Sequence, residues 1–258
     1  MPHSEVVLIE RLEEKHGRVL CYPRFDSEEL RRRIKELEEL GVQTLEFTGE
    51  KTVFNVQVLG KGYVGIVVAA GMNGRKVALK IRRVDADRTG MLREAGMLRK
   101  ANSVDVGPNL IDATENFLVM EFVEGTVLPK WVEGLKERGK SRIRRVLRAV
   151  LEQCWRLDEV GLDHGELSRA PKHIIVREND NPCIVDFETA STKRRFSNIT
   201  SVCQYLFIGS QAARRIANKL GEIDREELIR ALREYKLRRT RERFEKVLDV
   251  CGMRKIRV

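Results

Sequence analysis

The amino-acid sequence predicts an α+β protein with a β-rich N-terminal lobe, a short hinge and a compact helical C-terminal lobe. Three features carry that reading. Short β-branched and aromatic runs separated by glycine-bearing turns fill residues 44–83, as in an antiparallel sheet. Two more strand-like runs, NLIDA and NFLVMEF, follow at 109–113 and 116–122. Beyond Gly125 and Pro129, apolar residues recur at helical instead of strand spacing.

Each element has a local reason. Asp26 or Ser27 can cap a helix through Leu40, with Leu30, Ile34, Leu37 and Leu40 on one side and Gly41 as its stop. The runs TLEF, TVFNVQVLG, YVGIVVAAG and KVALKIRR read as strands, with Asn73-Gly74 as a hairpin turn. A helix over 88–101 precedes the last two strands. In the C-terminal lobe, Ile143, Val146, Leu147, Val150, Leu151, Cys154 and Leu157 form the apolar side of a helix over 142–160, and helical patterns return over 198–220 and 224–250. The resulting division is an extension with one amphipathic helix (1–50), a β-rich lobe (51–124) and a helical lobe with a basic C-terminus (125–258).

A chain of 258 residues, 42% hydrophobic, can bury such a core without disulfides or metals. Its five cysteines are far apart and form no CxxC pair, which reads as free thiols in a reducing, cytoplasmic setting. The start MPHSEVVLIERLEEKHGR is too charged for a signal peptide, and no apolar run approaches bilayer length. A 34% charged fraction with few Gln suits surface ion-pair networks at high temperature. The net charge of +10 is uneven: residues 1–55 carry 9 basic and 12 acidic side chains, residues 56–188 carry 22 and 19, and residues 189–258 carry 18 and 8. That basic end favours a polyanionic partner, although any single basic run can be a solvated helix face.

Residues 60–67 read GKGYVGIV. A dinucleotide fold would need these glycines to open a helix, but IVVAAG follows, so Gly60, Gly62, Gly65 and Val67 instead mark the bend of a hairpin able to lie over nucleotide phosphates. Lys80 in VALK comes thirteen residues after Val67, and strand alternation points it away from Val77 and Leu79. A phosphate-neutralising lysine needs an anion to hold it, and Glu94 in the next helix is the candidate; otherwise Glu94 is a surface acid. Further on come MEFVEG at 120–125, HGEL at 164–167, KHIIV at 172–176 and IVDFETA at 184–190.

In that order and spacing the motifs resemble the protein-kinase superfamily over residues 50–220, and the missing APE segment is similar to its atypical branch, which includes RIO-type kinases and the small KEOPS kinase. The resemblance implies a bilobal fold, ATP and Mg²⁺, with Gly60, Gly62, Gly65, Val67, Lys80, Glu94, Met120 and Phe122 around the nucleotide. It also implies Glu166 as the base in place of the usual Asp, and Asp186 as the main metal ligand, with Glu188 or His173 as further candidates. Glu is longer than Asp by ~1.5 Å, and the interval from Glu166 to His173 is two residues longer than usual, which can absorb that reach. His173 stands where an Asn is usual and can equally be a packing residue; His164 braces the loop.

Two acceptor classes compete. The segment after Asp186 passes quickly into a helix, which leaves little room for a peptide platform, and it is basic at Lys193, Arg194 and Arg195. Arg214, Arg215, Arg238 and Arg239 extend that charge, and Arg142, Arg144, Arg145 and Arg148 form a possible third stripe. Such residues can track an RNA backbone. The chain is similar to the archaeal RNA-kinase family, which implies transfer from ATP to a ribose 2′-hydroxyl of tRNA at a variable-region uridine, supporting thermal stability of the tRNA. The alternatives are a RIO-type serine/threonine protein kinase or ATPase, and a non-catalytic RNA-binding module that keeps ATP.

Overall fold

A computed structural model describes residues 4–135, 139–194 and 197–253. The chain forms two compact units: Met1–Arg99 with Pro108–Phe122, and Lys100–Gly107 with Val123–Val258. The mixed α+β architecture expected from the sequence is present, with the large sheet in the first unit and most helices in the second.

In the first unit the elements run β1 (Glu5–Leu8), α1 (Ser27–Glu39), β2 (Val42–Phe47), β3 (Lys51–Val53), β4 (Val56–Val58), β5 (Gly60–Lys61), β6 (Gly65–Met72), β7 (Arg75–Arg82), α2 (Gly90–Asn102), β8 (Leu110–Ala113) and β9 (Phe117–Glu121). The main sheet is antiparallel, in the order β1-β2-β6-β7-β9-β8, with β5 also paired to β6. The first fifty residues therefore contribute two of its strands. Its two faces follow from alternation. Val77, Leu79 and Ile81 join one core with Leu12, Leu20, Leu30 and Leu37 from the N-terminal segment, whereas Leu118 packs with Met91 and Ala95 of α2 on the other.

Helix α1 begins where Asp26 accepts a hydrogen bond from the Glu29 amide at 2.7 Å, and Glu28 and Glu29 suit the positive end of its dipole. It ends at Gly41, whose φ of 75° is left-handed. Asn73 and Gly74, also left-handed, make the expected turn between β6 and β7. The TVFNVQVLG run is corrected: it is a hairpin of β3 and β4, because Phe54 and Asn55 both take positive φ and reverse the chain.

Arg33 breaks the amphipathic pattern of α1. It is fully buried, pairs with Glu29 at 2.7 Å, and donates to the Arg82 carbonyl at 2.6 Å, the Leu20 carbonyl and Asn116 Oδ1 at 3.0 Å. Its guanidinium ties α1, the preceding turn, the end of β7 and the β8–β9 turn together. A buried charge persists only when its donors are used in this way.

The second unit contains β10 (Thr126–Val127), α3 (Leu128–Gly134), α4 (Lys140–Glu159), β11 (Ile174–Val176), β12 (Pro182–Ile184), α5 (Asn198–Cys203), α6 (Gln211–Leu220), α7 (Arg225–Leu237) and α8 (Arg241–Val250). The three strands form a small antiparallel sheet, and α4 buries the apolar side expected of it. The helical patterns over 198–220 and 224–250 are each realised with a break. After α5 the chain widens into a π turn at Gln204–Ile208, and Ser210 then starts a new helix by accepting from the Ala213 amide at 2.9 Å. Arg238 is extended, and Thr240 caps α8. All five cysteines are buried and none is in a disulfide. Among the described residues no helix is long and apolar enough to cross a membrane.

Candidate active site

The glycine-rich segment forms the β5–β6 hairpin. Gly60 pairs with Val67, and the Gly62 amide donates to the Gly65 carbonyl at 2.8 Å. Across the next ladder Val67 lies opposite Lys80. A side chain at Gly65 would meet the Ile81 carbonyl at 2.7 Å and the Lys80 stem at 3.2 Å, so glycine keeps the bend close to that lysine. Lys80 Nζ and Glu94 Oε2 are 2.7 Å apart, with the residues 4% and 3% exposed. The expected ion pair is thus formed inside the first unit. Met120 packs against the Met91, Ala95 and Leu118 cluster. Phe122 carries Lys76 over its ring at 4.6 Å, and Glu121 is occupied by Asn109.

In the second unit, HGEL and IVDF converge. His164 is buried, with its ring nitrogen Nε2 3.1 Å from the Val185 carbonyl and its ring edge-on to Phe187 at 5.0 Å between centroids. Burial pushes its pKa down to about 4, with nearby His173 adding to the effect. The ring braces the loop through this contact with Val185, and burial favours its neutral form. His173 is also buried; Nε2 lies 3.1 Å from Glu166 Oε2 and 3.6 Å from Asp186 Oδ2, yet neither approach has hydrogen-bond geometry. These are short electrostatic contacts, and the imidazole sits as a wedge beside both carboxylates. Burial lowers its pKa, while Asp186 and Glu166 oppose the shift.

Glu166 and Asp186 remain accessible, their side chains 40% and 32% exposed. Asp186 adopts φ 71°, an uncommon left-handed conformation for a residue with a side chain, and Lys172 lies 3.6 Å from it. Glu188 is half-buried nearby in sequence. The oxygen donors Asp186 and Glu188 have the chemistry a hard divalent cation takes, and imidazole does not. Among the described residues no three His, Cys, Asp or Glu side chains form a metal-holding group. Asp186, with Glu188 as a further candidate, suits Mg²⁺, which takes one or two carboxylates and completes its shell with phosphate and water.

A deeper layer escaped the sequence reading. The His164 amide donates to Asn198 Oδ1 at 3.0 Å. Asn198 in turn donates through its amide and its side chain to Asp158 Oδ1, each at 2.8 Å. Tyr235 gives its hydroxyl to Asp158 Oδ2 at 2.8 Å. Burial raises the Asp158 pKa against the lowering effect of these donors.

The basic residues divide. Arg194 pairs with Asp163 at 3.0 Å and donates to the Thr189 carbonyl, so part of its charge braces the loop. Arg195 lies outside the described residues. Lys193, Arg214 and Arg238 are exposed. Arg215 is 3.5 Å from Glu133, while Arg239 is near enough to Asp158 to lower its pKa. In the α4 stripe Arg142 and Arg145 are bound to Asp180, and Arg148 caps the Met253 carbonyl.

Residues 75–196 match the RIO-domain family model. The chain carries a RIO domain. It belongs to one family with Uncharacterized protein MJ1211 of Methanocaldococcus jannaschii, to which it is 30% identical over 119 residues, 45% of this chain and 98% of that protein. It is 28% identical over 162 residues to Serine/threonine-protein kinase RAD53 of Saccharomyces cerevisiae, 57% of this chain and 19% of that one. The RIO domain points to an atypical kinase or ATPase, and so to use of ATP with Mg²⁺. The matched span starts beyond the glycine hairpin, so that element rests on its own geometry.

Proposed function

We propose that this RIO-domain protein is an ATP-dependent kinase that phosphorylates a ribose 2′-hydroxyl of tRNA, at a variable-region uridine, and so supports thermal stability of the tRNA. The 2′-oxygen bonds to the γ-phosphorus, the bond from that phosphorus to the β,γ-bridging oxygen breaks, ADP leaves, and the hydroxyl proton passes to Glu166. Lys80, held by Glu94, neutralises phosphate charge. Asp186, with Glu188, would hold Mg²⁺, which supplies further neutralisation of the phosphate oxygens when bound. Lys193, Arg214 and Arg238 are the exposed cations that favour an RNA acceptor.

The observation that carries the choice of acceptor is the short path after Asp186. Residues 187–197 are all that separate it from α5, and Arg194 binds this stretch to Asp163. A peptide platform needs more chain, whereas a folded RNA brings its own rigid surface. The second reading, a RIO-type serine/threonine protein kinase or ATPase, is favoured by the similarity to RAD53. Incubation with γ-labelled ATP, total tRNA and total protein in parallel distinguishes the two. Label is expected in a nuclease-sensitive tRNA band, at a 2′-position resistant to alkaline cleavage. Label confined to protein, or release of phosphate alone, would refute the RNA assignment.

A further inference from the structure

The first unit carries a second basic surface, formed of alternating rings and cations. The Arg18 guanidinium lies 5.5 Å from the Phe25 ring centroid and 5.3 Å from that of Phe54. Phe54 meets Tyr22 edge-on at 5.5 Å. Lys61 and Arg83 sit over Tyr22 at 4.9 and 5.1 Å. Arg83 also approaches the Gly62 carbonyl at 3.4 Å, so the ladder ends on the glycine hairpin, beside the exposed Tyr63.

Two properties separate this surface from ordinary packing. Phe25 and Phe54 remain 47% and 37% exposed, although rings recruited to a core are normally buried. Arg18, Arg24 and Lys61 are exposed and have no carboxylate partner within ion-pair distance among the described residues. The neighbouring acids are already engaged: Asp85 by Arg83, at 2.7 Å, and Asp26 by the start of α1. The surface thus offers partly exposed aromatic rings, each already in contact with a cation, beside exposed cations without an ion-pair partner among the described residues. That is the chemistry that receives unstacked bases on a phosphate backbone.

We propose that Arg18, Tyr22, Phe25, Phe54 and Lys61 form a docking surface for an unpaired, loop-like segment of RNA. Its bases stack on the rings and its phosphates lie against the cations. This inference rests on the RNA-kinase reading above and assigns RNA contact to the N-terminal segment and the β3–β4 hairpin. An acidic peptide would use the cations, but it has no flat aromatic groups to occupy the rings.

The test is fluorescence anisotropy with total tRNA and with an oligouridylate, using the full chain and the variants Phe25→Ala/Phe54→Ala, Phe25→Tyr/Phe54→Tyr and Arg18→Ala/Lys61→Ala. The alanine ring variant is expected to lose RNA affinity by on the order of tenfold or more, and the tyrosine variant to retain it. The cation variant should flatten the slope of log affinity against log salt by roughly 0.7 for each phosphate it no longer neutralises. Thermal midpoint and the far-UV circular dichroism spectrum report whether each variant is folded, and the exposed cation pair keeps the test decisive if the ring variant unfolds. Wild-type transfer to tRNA together with unchanged RNA binding in both alanine variants would overturn the docking surface and leave the kinase assignment standing. A wild-type chain that binds no tRNA, or variants that lose only protein phosphorylation, would overturn both.

Discussion

The candidate residues of the two units are arranged on opposite plans. Lys80 and Glu94 are almost completely buried and already paired, whereas Glu166 and Asp186 stand partly in solvent beside a buried imidazole. The first arrangement fixes a positive charge before any ligand arrives, at the cost of desolvating both partners. The second leaves carboxylate oxygens ready to exchange water for a cation or a hydroxyl. The Lys80–Glu94 pair should therefore be coupled to stability and the acidic cluster should not.

Substitutions on each side can break that contrast. Lys80→Met should lower phosphoryl transfer by about 10²–10³-fold and also destabilise the fold by roughly 3–5 kcal/mol, because it removes the counter-charge from a buried carboxylate. Asp186→Asn should cost about as much activity and shift stability by no more than ~0.5–1 kcal/mol, since its side chain is partly solvated. Initial rates combined with urea unfolding separate the two; equal stability losses would end the comparison. Glu166→Gln is expected to reduce kcat by on the order of 10²-fold while ATP binding persists. Unchanged kcat would remove Glu166 as the proton acceptor.

Histidine 164 sharpens the picture through pH. Its folded pKa of about 4 lies below the ordinary 6.5, so the unfolded chain takes up its proton first as the medium is acidified. The contribution of its neutral form is complete above pH 6.5 and lost as pH falls towards 4, about 3 kcal/mol in all. Urea midpoints of wild type and His164→Gln should diverge in slope across that window; parallel profiles would show that the ring does not resist protonation. The smallest effect is expected for Arg194→Ala, a loss of roughly 1 kcal/mol in stability and at most about tenfold in kcat, measured in the same assays.

The pair of Lys80 and Glu94 was legible as a candidate from local rules, since alternation sets the lysine's face and the run after Arg88 reads as a helix, but only the fold decides it against a surface acid. The turn at Asn73-Gly74 was legible for the same reason. What the sequence concealed depends on distant partners. Arg33 shares the face of Leu30 and Leu37 on α1, but its charge reads as exposed, and only Leu20, Arg82 and Asn116 together satisfy it as a buried residue. Asn198 and Asp158 are 40 positions apart, and no motif links them. The broken helices had weak signals in Ser210 and Thr240, which are good caps, but continuous apolar spacing concealed them. The excess of arginine was plain, but its division between internal bracing, as in Arg142 and Arg194, and open surface depends on folded geometry.

The link from Tyr235 to Asp158 has a consequence beyond packing. One phenol on α7 reaches the carboxylate that holds Asn198, and Asn198 holds the amide of His164. A proteolytic nick between residues 221 and 235 would spare every motif residue and still slacken the loop that carries Glu166. Damage remote from the chemistry would then be read out as poor aim, with nucleotide uptake intact and turnover failing.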